Sequence, residues 1–248
     1  PHTSAVAAIC TRLDGLPLAL ELAAARLKVL SPDALLRRLD HSLGLLTGGA
    51  VDADERHRTL HATIEWSYDL LSDAERALFA RLAVFTGGAR LDSAAAVCDP
   101  EQDLGVDILD GLASLVEKNL LRQRDDLDGE PRFWMLETIR EYASDRFTES
   151  ADATRVQDAH ASFFLALAEG AADASGDEQA ASHDALHREQ GNLRAALEWL
   201  QRTKDIEKLA RLVAALTGYW DTENAGVEAA TWLAEALAQT DGRTAIRE

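Results

Sequence analysis

Apolar residues recur every three or four positions through the first fifty residues, which is the spacing of one face of a helix. Pro17 stands where a helix begins, because the first turn does not use the N–H that proline lacks. Two apolar rows follow over residues 18–30, so we expect this helix to be buried on nearly all sides. Ser31, Pro32 and Asp33 predict the start of a second helix, with Ser31 as its N-cap.

The middle of the chain changes from simple helical periodicity to shorter elements. A helix is predicted over about residues 59–71, and Ser72 and Glu75 then form a Ser-x-x-Glu capping box that opens another helix. A Gly-Gly pair at 87–88 interrupts the pattern before a short helix over 91–98. Apolar spacing predicts a longer helix over about 106–119.

The strand signal of the sequence follows that helix. The pattern predicts two strands, over residues 120–124 and 132–136. The acidic loop between them contains the Asp128-Gly129 dipeptide, which favours a tight turn. A closing helix is predicted over about 137–148. Helices followed by a two-stranded hairpin predict a winged helix with a small β-hairpin.

The last hundred residues are predicted to be helical throughout. Trp199-Leu200 and Trp232-Leu233 lie 33 positions apart, close to the period of about 34 residues of tetratricopeptide-like repeats. The predicted helices cover about residues 154–172, 178–203, 205–219 and 226–239. The fold class is therefore mainly α, in three segments: a helical segment over 1–50, a winged helix over 51–150 and tetratricopeptide-like α-helical repeats over 151–248.

Charge separates these segments. The chain carries 25 Lys and Arg against 43 Asp and Glu, a formal net charge of -18, of which the three segments hold +1, -11 and -8. The helix that would enter a DNA groove, about 106–119, has Asp107, Asp110 and Glu117 against Lys118. Because DNA binding begins with cations that neutralise phosphates, we expect no direct DNA binding by this chain.

Other classes of function find little support. No apolar run approaches the roughly 20 residues of a membrane span, and two distant cysteines suggest neither a disulfide framework nor a thiolate metal site. The pairs His57/His61 and His183/His187 offer two metal ligands each, fewer than zinc requires. We expect a cytoplasmic protein that binds no membrane, holds no metal and is not an enzyme.

Four stretches resemble one known family. Gly15-Leu16-Pro17-Leu18-Ala19 resembles the GLPLA motif of NB-ARC ATPases of the STAND class, and LSDAERALFARLAVFTGG at 71–88 is similar to the winged helix that follows their nucleotide-binding core. FWMLETIREYA at 133–143 is similar to the segment that holds their MHD motif. QGNLRAALEW at 190–199 resembles the repeat region of large LuxR-type and antibiotic-regulator-type bacterial proteins.

The resemblance implies a nucleotide site shared with a larger protein. Gly15, Leu16 and Pro17 would belong to it, with Pro17 against the adenine of ADP, and residues 1–50 would be a remnant of the helical lid. Leu136 falls at the MHD histidine that reaches the β-phosphate, and leucine cannot donate that hydrogen bond. The sequence has no Walker A or Walker B motif. We therefore expect a fragment without a cofactor of its own, from a parent protein that binds ADP or ATP with Mg.

The function that this resemblance implies is regulatory. The winged helix would act as an intramolecular switch that packs on an upstream nucleotide-binding domain, and the helical repeats would sense a protein or small-molecule inducer of a transcriptional regulator. The alternative is a winged-helix transcription factor that binds DNA and carries a helical dimerisation or ligand-binding domain.

Overall fold

The computed structural model describes residues 3–13, 17–44, 53–126, 129–222 and 232. Within these ranges the chain is mainly helical and carries a small β-hairpin, which confirms the predicted mainly α class and the predicted hairpin. The chain divides into two compact units, and each unit combines two separate stretches of sequence. Unit 1 contains Pro1–Ala83 and Gln102–Thr148, and unit 2 contains Val84–Glu101 and Glu149–Glu248.

Unit 1 contains the first helices of the chain and most of the predicted winged helix. Its elements are α1 (Thr3–Arg12), α2 (Pro17–Arg26), α3 (Pro32–Gly44), α4 (Ala53–Asp69), α5 (Asp73–Arg81), α7 (Ile108–Glu117), β2 (Arg122–Asp125), β3 (Pro131–Trp134) and α8 (Glu137–Thr148). A short 3-10 helix, Leu82–Val84, follows α5.

Both predicted helix starts in the first segment are confirmed. Pro17 opens α2, and the Ser31 hydroxyl accepts a hydrogen bond from the Ala34 backbone nitrogen at 3.3 Å at the start of α3. The expected burial of α2 on nearly all sides is wrong. The helix ends at Arg26, and Val29 beyond it is 80% exposed. Only the face that meets the other helices of the unit is covered.

The apolar core of the first segment is shared by α1, α2, α3 and α4. Residues from each of these helices are less than a tenth exposed: Ile9, Leu13, Ala19, Ala23, Leu35, Leu39 and Trp66. Trp66 comes from α4, which lies inside the predicted winged-helix segment 51–150, so its indole ring joins that segment to the first one.

The predicted capping box at the start of α5 is present in full. Ser72 accepts from the Glu75 backbone nitrogen at 3.3 Å, and the Glu75 carboxylate accepts from the Ser72 nitrogen at 2.8 Å. The preceding helix, α4, runs from Ala53 to Asp69 and so starts six residues earlier than predicted. Side chains alone did not mark that start, because its first two turns carry mostly charged residues.

The hairpin forms with both strands about two residues from their predicted positions. Strands β2 and β3 are antiparallel, with Arg122 opposite Trp134 and Arg124 opposite Arg132. Gly129 adopts a positive φ of 82°, as the Asp-Gly turn signal predicts. The winged-helix prediction is confirmed.

Unit 2 contains β1 (Ala89–Arg90), α6 (Leu91–Cys98), α9 (Ala153–Asp173), α10 (Asp177–Arg188), α11 (Gln190–Thr203) and α12 (Ile206–Thr222). Helix α9 is central, because α6, α10, α11 and α12 all pack against it. Strand β1 was not predicted, since two residues are too short to show a period.

The single helix predicted over 178–203 is wrong. The chain breaks at Glu189, which ends α10 and precedes α11. Glu189 is only 7% exposed and its carboxylate accepts a hydrogen bond from the Asn192 side chain at 2.7 Å. This buried polar pair interrupts an apolar pattern that is otherwise continuous. The helix predicted over 226–239 lies outside the described residues, except for the helical Trp232.

The two units do not coincide with the three predicted segments, because residues 84–101 join the later helices. The segment boundaries at 50 and 150 stay a prediction. No helix in the described ranges combines the length and hydropathy needed to span a membrane.

The winged helix as candidate functional site

Helix α7 takes the place of the recognition helix in the winged helix. Asp107 caps it, accepting hydrogen bonds from the backbone nitrogens of Leu109 and Asp110 at 2.9 and 3.2 Å. A Cβ atom added at Gly111 would lie 2.6 Å from the Leu78 side chain of α5. The two helices therefore pack closely, and Gly111 has a structural reason to be glycine.

The exposed face of α7 is acidic and partly apolar. Asp107, Asp110, Ala113 and Glu117 are exposed, and Leu109 is 50% exposed. The carboxylates on this face would repel the phosphates of DNA, since each would need a counterion to approach them. The exposed face of α7 therefore offers few favourable contacts to phosphate groups.

The lysine that follows α7 is directed toward its own unit. Lys118 donates to the Glu75 carboxylate, which also accepts from the Ser114 hydroxyl and from the Ser72 backbone. Burial raises the pKa of Glu75, but the hydrogen bonds from Lys118, Ser114 and Ser72 outweigh it and lower that pKa to about 2. Glu75 thus joins the cap of α5 to the end of α7, and Lys118 is not free to meet a phosphate.

Helix α2 supplies carboxylate and carbonyl partners to the strand that leaves α7. Arg122 of β2 pairs with Glu21, and the Asn119 side chain donates to the Glu21 carbonyl at 3.0 Å. A third pair has its charges reversed: the cation, Lys28, follows α2, and the carboxylate, Glu117, lies on α7, 3.1 Å away. These exposed pairs contribute little individually, but together they hold the segment after Pro17 against the recognition helix and wing.

The hairpin, or wing, is held by a buried ion pair. Arg132 is 2% exposed, and its guanidinium lies 3.6 Å from the Asp126 carboxylate. Arg124 lies over the Trp134 ring at 5.2 Å. Two arginines of the wing therefore contact wing residues, while the exposed Asp125 and Glu130 make its outer surface acidic.

A family model described as a winged helix-turn-helix domain matches residues 71–148. The match agrees with the winged-helix fold that the structure shows over these residues. The match runs through both units, since α5, α7 and α8 lie in unit 1 and α6 lies in unit 2. No solved structure matches the chain significantly.

Curated relatives come from mycobacteria. A protein of Mycobacterium tuberculosis and one of Mycobacterium bovis, each named "Putative HTH-type transcriptional regulator", are 37% identical over 219 residues, which is 88% of this chain and 25% of theirs. An "Uncharacterized protein" of Mycobacterium tuberculosis is 43% identical over 152 residues, 61% of this chain and 38% of its own. The chain is thus homologous to HTH-type regulators and spans about a quarter of the length of those it matches first.

Of the residues predicted for a nucleotide site, Pro17 and Leu136 are described, and they lie in separate stretches of unit 1. Pro17 is exposed at the start of α2, whereas Gly15 and Leu16 lie outside the described residues. Leu136 is half-buried before α8, and its carbonyl accepts from the backbone nitrogens of Ile139 and Arg140 at 2.9 Å. No hydrogen bond links Pro17 to Leu136. In the described ranges, no group of three or more side chains is arranged to hold a metal ion.

Asn192 of α11 makes a network that the sequence did not reveal. Its Oδ1 accepts from the Thr86 backbone nitrogen at 2.7 Å, and its Nδ2 donates to the Gly88 carbonyl at 3.1 Å. Asn192 is fully buried, and a Cβ atom added at Gly191 would lie 2.6 Å from the Thr86 carbonyl oxygen. Gly191-Asn192 thus binds the turn at residues 86–88, an arrangement we call the 86–88 anchor.

His160 of α9 lies against the same anchor. Its Nε2 is 3.4 Å from Asn192 Oδ1, and its ring packs against Phe85 and Phe164. Burial lowers the pKa of His160 to about 4, although the hydrogen bond to Asn192 acts in the opposite direction. His160 gives no signal in the sequence, because a lone histidine in an apolar helix has no distinctive spacing.

Proposed function

We propose that this chain is the regulatory part of a larger transcriptional regulator, in which the winged helix is an intramolecular switch and not a DNA reader. One observation carries the proposal: the cations beside the recognition helix are paired with carboxylates of the same unit. Lys118 pairs with Glu75, Arg122 with Glu21 and Lys28 with Glu117.

DNA binding through α7 would have to overcome these pairs. Each cation would leave its carboxylate, and the carboxylates would then stand unneutralised beside the phosphate backbone. Affinity for DNA comes largely from phosphate contacts by Lys and Arg. A surface on which Lys118, Arg122 and Lys28 are already paired, and whose exposed helix face carries three carboxylates, is better suited to packing on protein.

Helix α6 offers a route from the later helices to the switch. It is part of the winged helix-turn-helix match, yet it belongs to the same compact unit as α9 and α11. The 86–88 anchor fixes the turn before α6 to Asn192. We propose that a change in α9 to α12 on binding an inducer is passed to the winged helix through this turn.

The nucleotide part of the proposal rests on the resemblance to STAND-class NB-ARC ATPases. An upstream domain would hold ADP or ATP with Mg, because this chain has no phosphate-binding loop. Pro17 would contact the adenine side of that site. Leu136 would make no phosphate contact, so packing would hold the winged helix in its resting position.

The second candidate is a winged-helix transcription factor that binds DNA directly. The family match and the names of the mycobacterial relatives favour it. The two candidates differ in whether residues 71–148 contact DNA, and a binding titration separates them.

The test is fluorescence anisotropy of the whole chain against duplexes enriched from a random library, from about 50 mM to about 200 mM salt. We expect no sequence-specific binding. The double variant Asp110→Lys and Glu117→Lys is the positive control, because it adds four charge units to the exposed face of α7 and should produce salt-dependent binding. Specific binding by the unaltered chain would establish the second candidate.

A further inference from the structure

A cavity of about 740 Å³ lies in unit 2, between α10, α12 and the end of α9. Pockets for small organic ligands have volumes of roughly 300 to 1,000 Å³. We call this cavity the α10–α12 groove. Its volume is sufficient for a ligand of one or two rings, and all its lining residues belong to unit 2.

The walls of the α10–α12 groove carry small side chains, and its base is apolar. Ala180 of α10 and Ala215 and Gly218 of α12 line it. Leu186 and Tyr219 line it as well, and they are only 4% and 5% exposed. A groove lined largely by small and apolar residues can admit a flat apolar group of a ligand.

An aromatic pair lines the same groove. The rings of His183 and Tyr219 are 5.1 Å apart with an interplanar angle of 49°. Their faces and edges can pack against a flat ring of a ligand, since aromatic groups prefer tilted or offset contacts at 4.5 to 7 Å. The face of a tyrosine ring also attracts cations.

The charge of the groove is negative. Asp184 is the one acidic residue among its lining residues, none of which is Lys or Arg. Asp184 is exposed at the rim, where a carboxylate is accessible to a protonated amine. An anionic ligand would find a like charge there and no opposite one.

We propose that the α10–α12 groove binds a small organic cation, in which a protonated amine is joined to a flat apolar ring. The ring would lie between the small-residue walls against Tyr219, and the amine would reach Asp184. Only the role of this ligand as the inducer rests on the proposed function; its binding does not.

Three probes of one shape test the chemistry: 3-phenylpropylamine, the alcohol 3-phenyl-1-propanol and the acid 3-phenylpropionate. Binding to the whole chain is measured by saturation-transfer NMR and by chemical-shift titration of the His183 ring. For a ligand of about ten heavy atoms we expect a Kd on the order of 1 mM for the amine. The alcohol should bind several-fold more weakly, and the acid at least tenfold more weakly.

Two variants locate the site. Gly218→Leu fills the groove and should abolish binding of the amine and the alcohol, and it should fold, because an added Cβ at Gly218 meets no atom within 4 Å. Asp184→Asn should weaken binding of the amine about tenfold and leave binding of the alcohol unchanged. Glu198→Gln, an exposed carboxylate of α11 outside the groove, is the matched control and should change neither.

The outcomes separate this proposal from the function proposed above. No binding of the amine, or binding that Gly218→Leu does not affect, overturns the site. Equal affinity for the amine and the acid overturns the charge assignment. Neither result alters the DNA titration, which tests the winged helix independently; conversely, specific DNA binding would leave the groove and its ligand in place.

Discussion

The Asn192 side-chain oxygen accepts a hydrogen bond from the Thr86 backbone nitrogen at 2.7 Å, across 106 positions of sequence. Thr86 lies within the winged helix-turn-helix match, and Asn192 lies on α11 far beyond it. The bond explains why residues 84–101 share a compact unit with the later helices. It also makes the 86–88 anchor the most direct place to test the architecture.

Replacing Asn192 with Ala should destabilise unit 2. The change removes the partners of the Thr86 nitrogen and the buried Gly88 carbonyl, and losing a buried partner costs about 2 kcal/mol or more. Urea unfolding would measure the loss of free energy. Hydrogen exchange of a peptide covering residues 84–91 should accelerate, because its amides open locally.

Glu198→Ala provides the control on the same helix. Glu198 is exposed, so its loss should change the free energy of unfolding by less than about 0.5 kcal/mol. Unchanged exchange over residues 84–91 in Asn192→Ala would contradict the anchor.

The substitution Gly191→Ala should be destabilising although alanine favours helices. The added Cβ would lie 2.6 Å from the Thr86 carbonyl oxygen, and a backbone atom cannot move away as a flexible side chain can. We expect a loss of about 2 kcal/mol, typical of an overpacked site. Thermal unfolding is a sufficient measurement.

Gly170→Ala is the matched substitution on α9. Nothing lies within 4 Å of a Cβ added there, so the chain should gain up to about 1 kcal/mol from the better helix propensity of alanine. Equal effects of the two changes would show that helix propensity, and not the contact with Thr86, decides the outcome at Gly191.

Protonation of His160 should destabilise the protein in mild acid. Its pKa is lowered to about 4 from an ordinary value of 6.5, because burial disfavours the charged ring. The unfolded chain therefore binds the proton more readily, and stability falls as the pH drops from about 6.5 toward 4. The shift corresponds to about 3 kcal/mol in all.

His160→Leu separates this titration from the others, because leucine has no charge to bury. The slope of unfolding free energy against pH between about 6.5 and 4 should decrease by about one proton per molecule. An unchanged slope would show that His160 is not the group responsible.

Protonation of Glu75 should destabilise the protein at lower pH than protonation of His160. Its pKa is lowered to about 2, mainly by Lys118 and Ser114 acting against burial, so the ionised form stabilises the folded chain. That contribution is complete above about pH 4.5 and is lost as the pH falls from there toward 2. Glu75→Gln should cost about 2 kcal/mol at neutral pH, since it replaces the charge-assisted contact with Lys118 by a weaker neutral one while keeping the capping box.

Asp73→Asn is the control for Glu75, because Asp73 lies in the same first turn with its side chain fully exposed. It should cost less than about 1 kcal/mol, the usual contribution of a charge near a helix terminus. A cost for Glu75→Gln no greater than this would mean that the link from α5 to α7 contributes nothing.

Local chemistry made several elements predictable. Pro17, Ser31 and the Ser72/Glu75 capping box mark helix starts through hydrogen bonds or φ values that neighbouring residues set, and the Asp-Gly turn marks the hairpin in the same way. The acidic character of α7 could also be predicted from the sequence, because charge is a property of composition.

The sequence alone determined the mainly helical class and the winged helix, because these depend on contacts within a few residues. It also determined the sign of the charge of the winged helix, because charge depends only on composition. Tertiary structure alone decided that residues 84–101 join α9 and α11, and that Lys118 and Arg122 are neutralised by Glu75 and Glu21. The physical reason is distance along the chain. Partners 43 to 106 positions apart leave no periodic trace in a sequence, and only the folded chain brings a buried amide such as Asn192 to the backbone it binds.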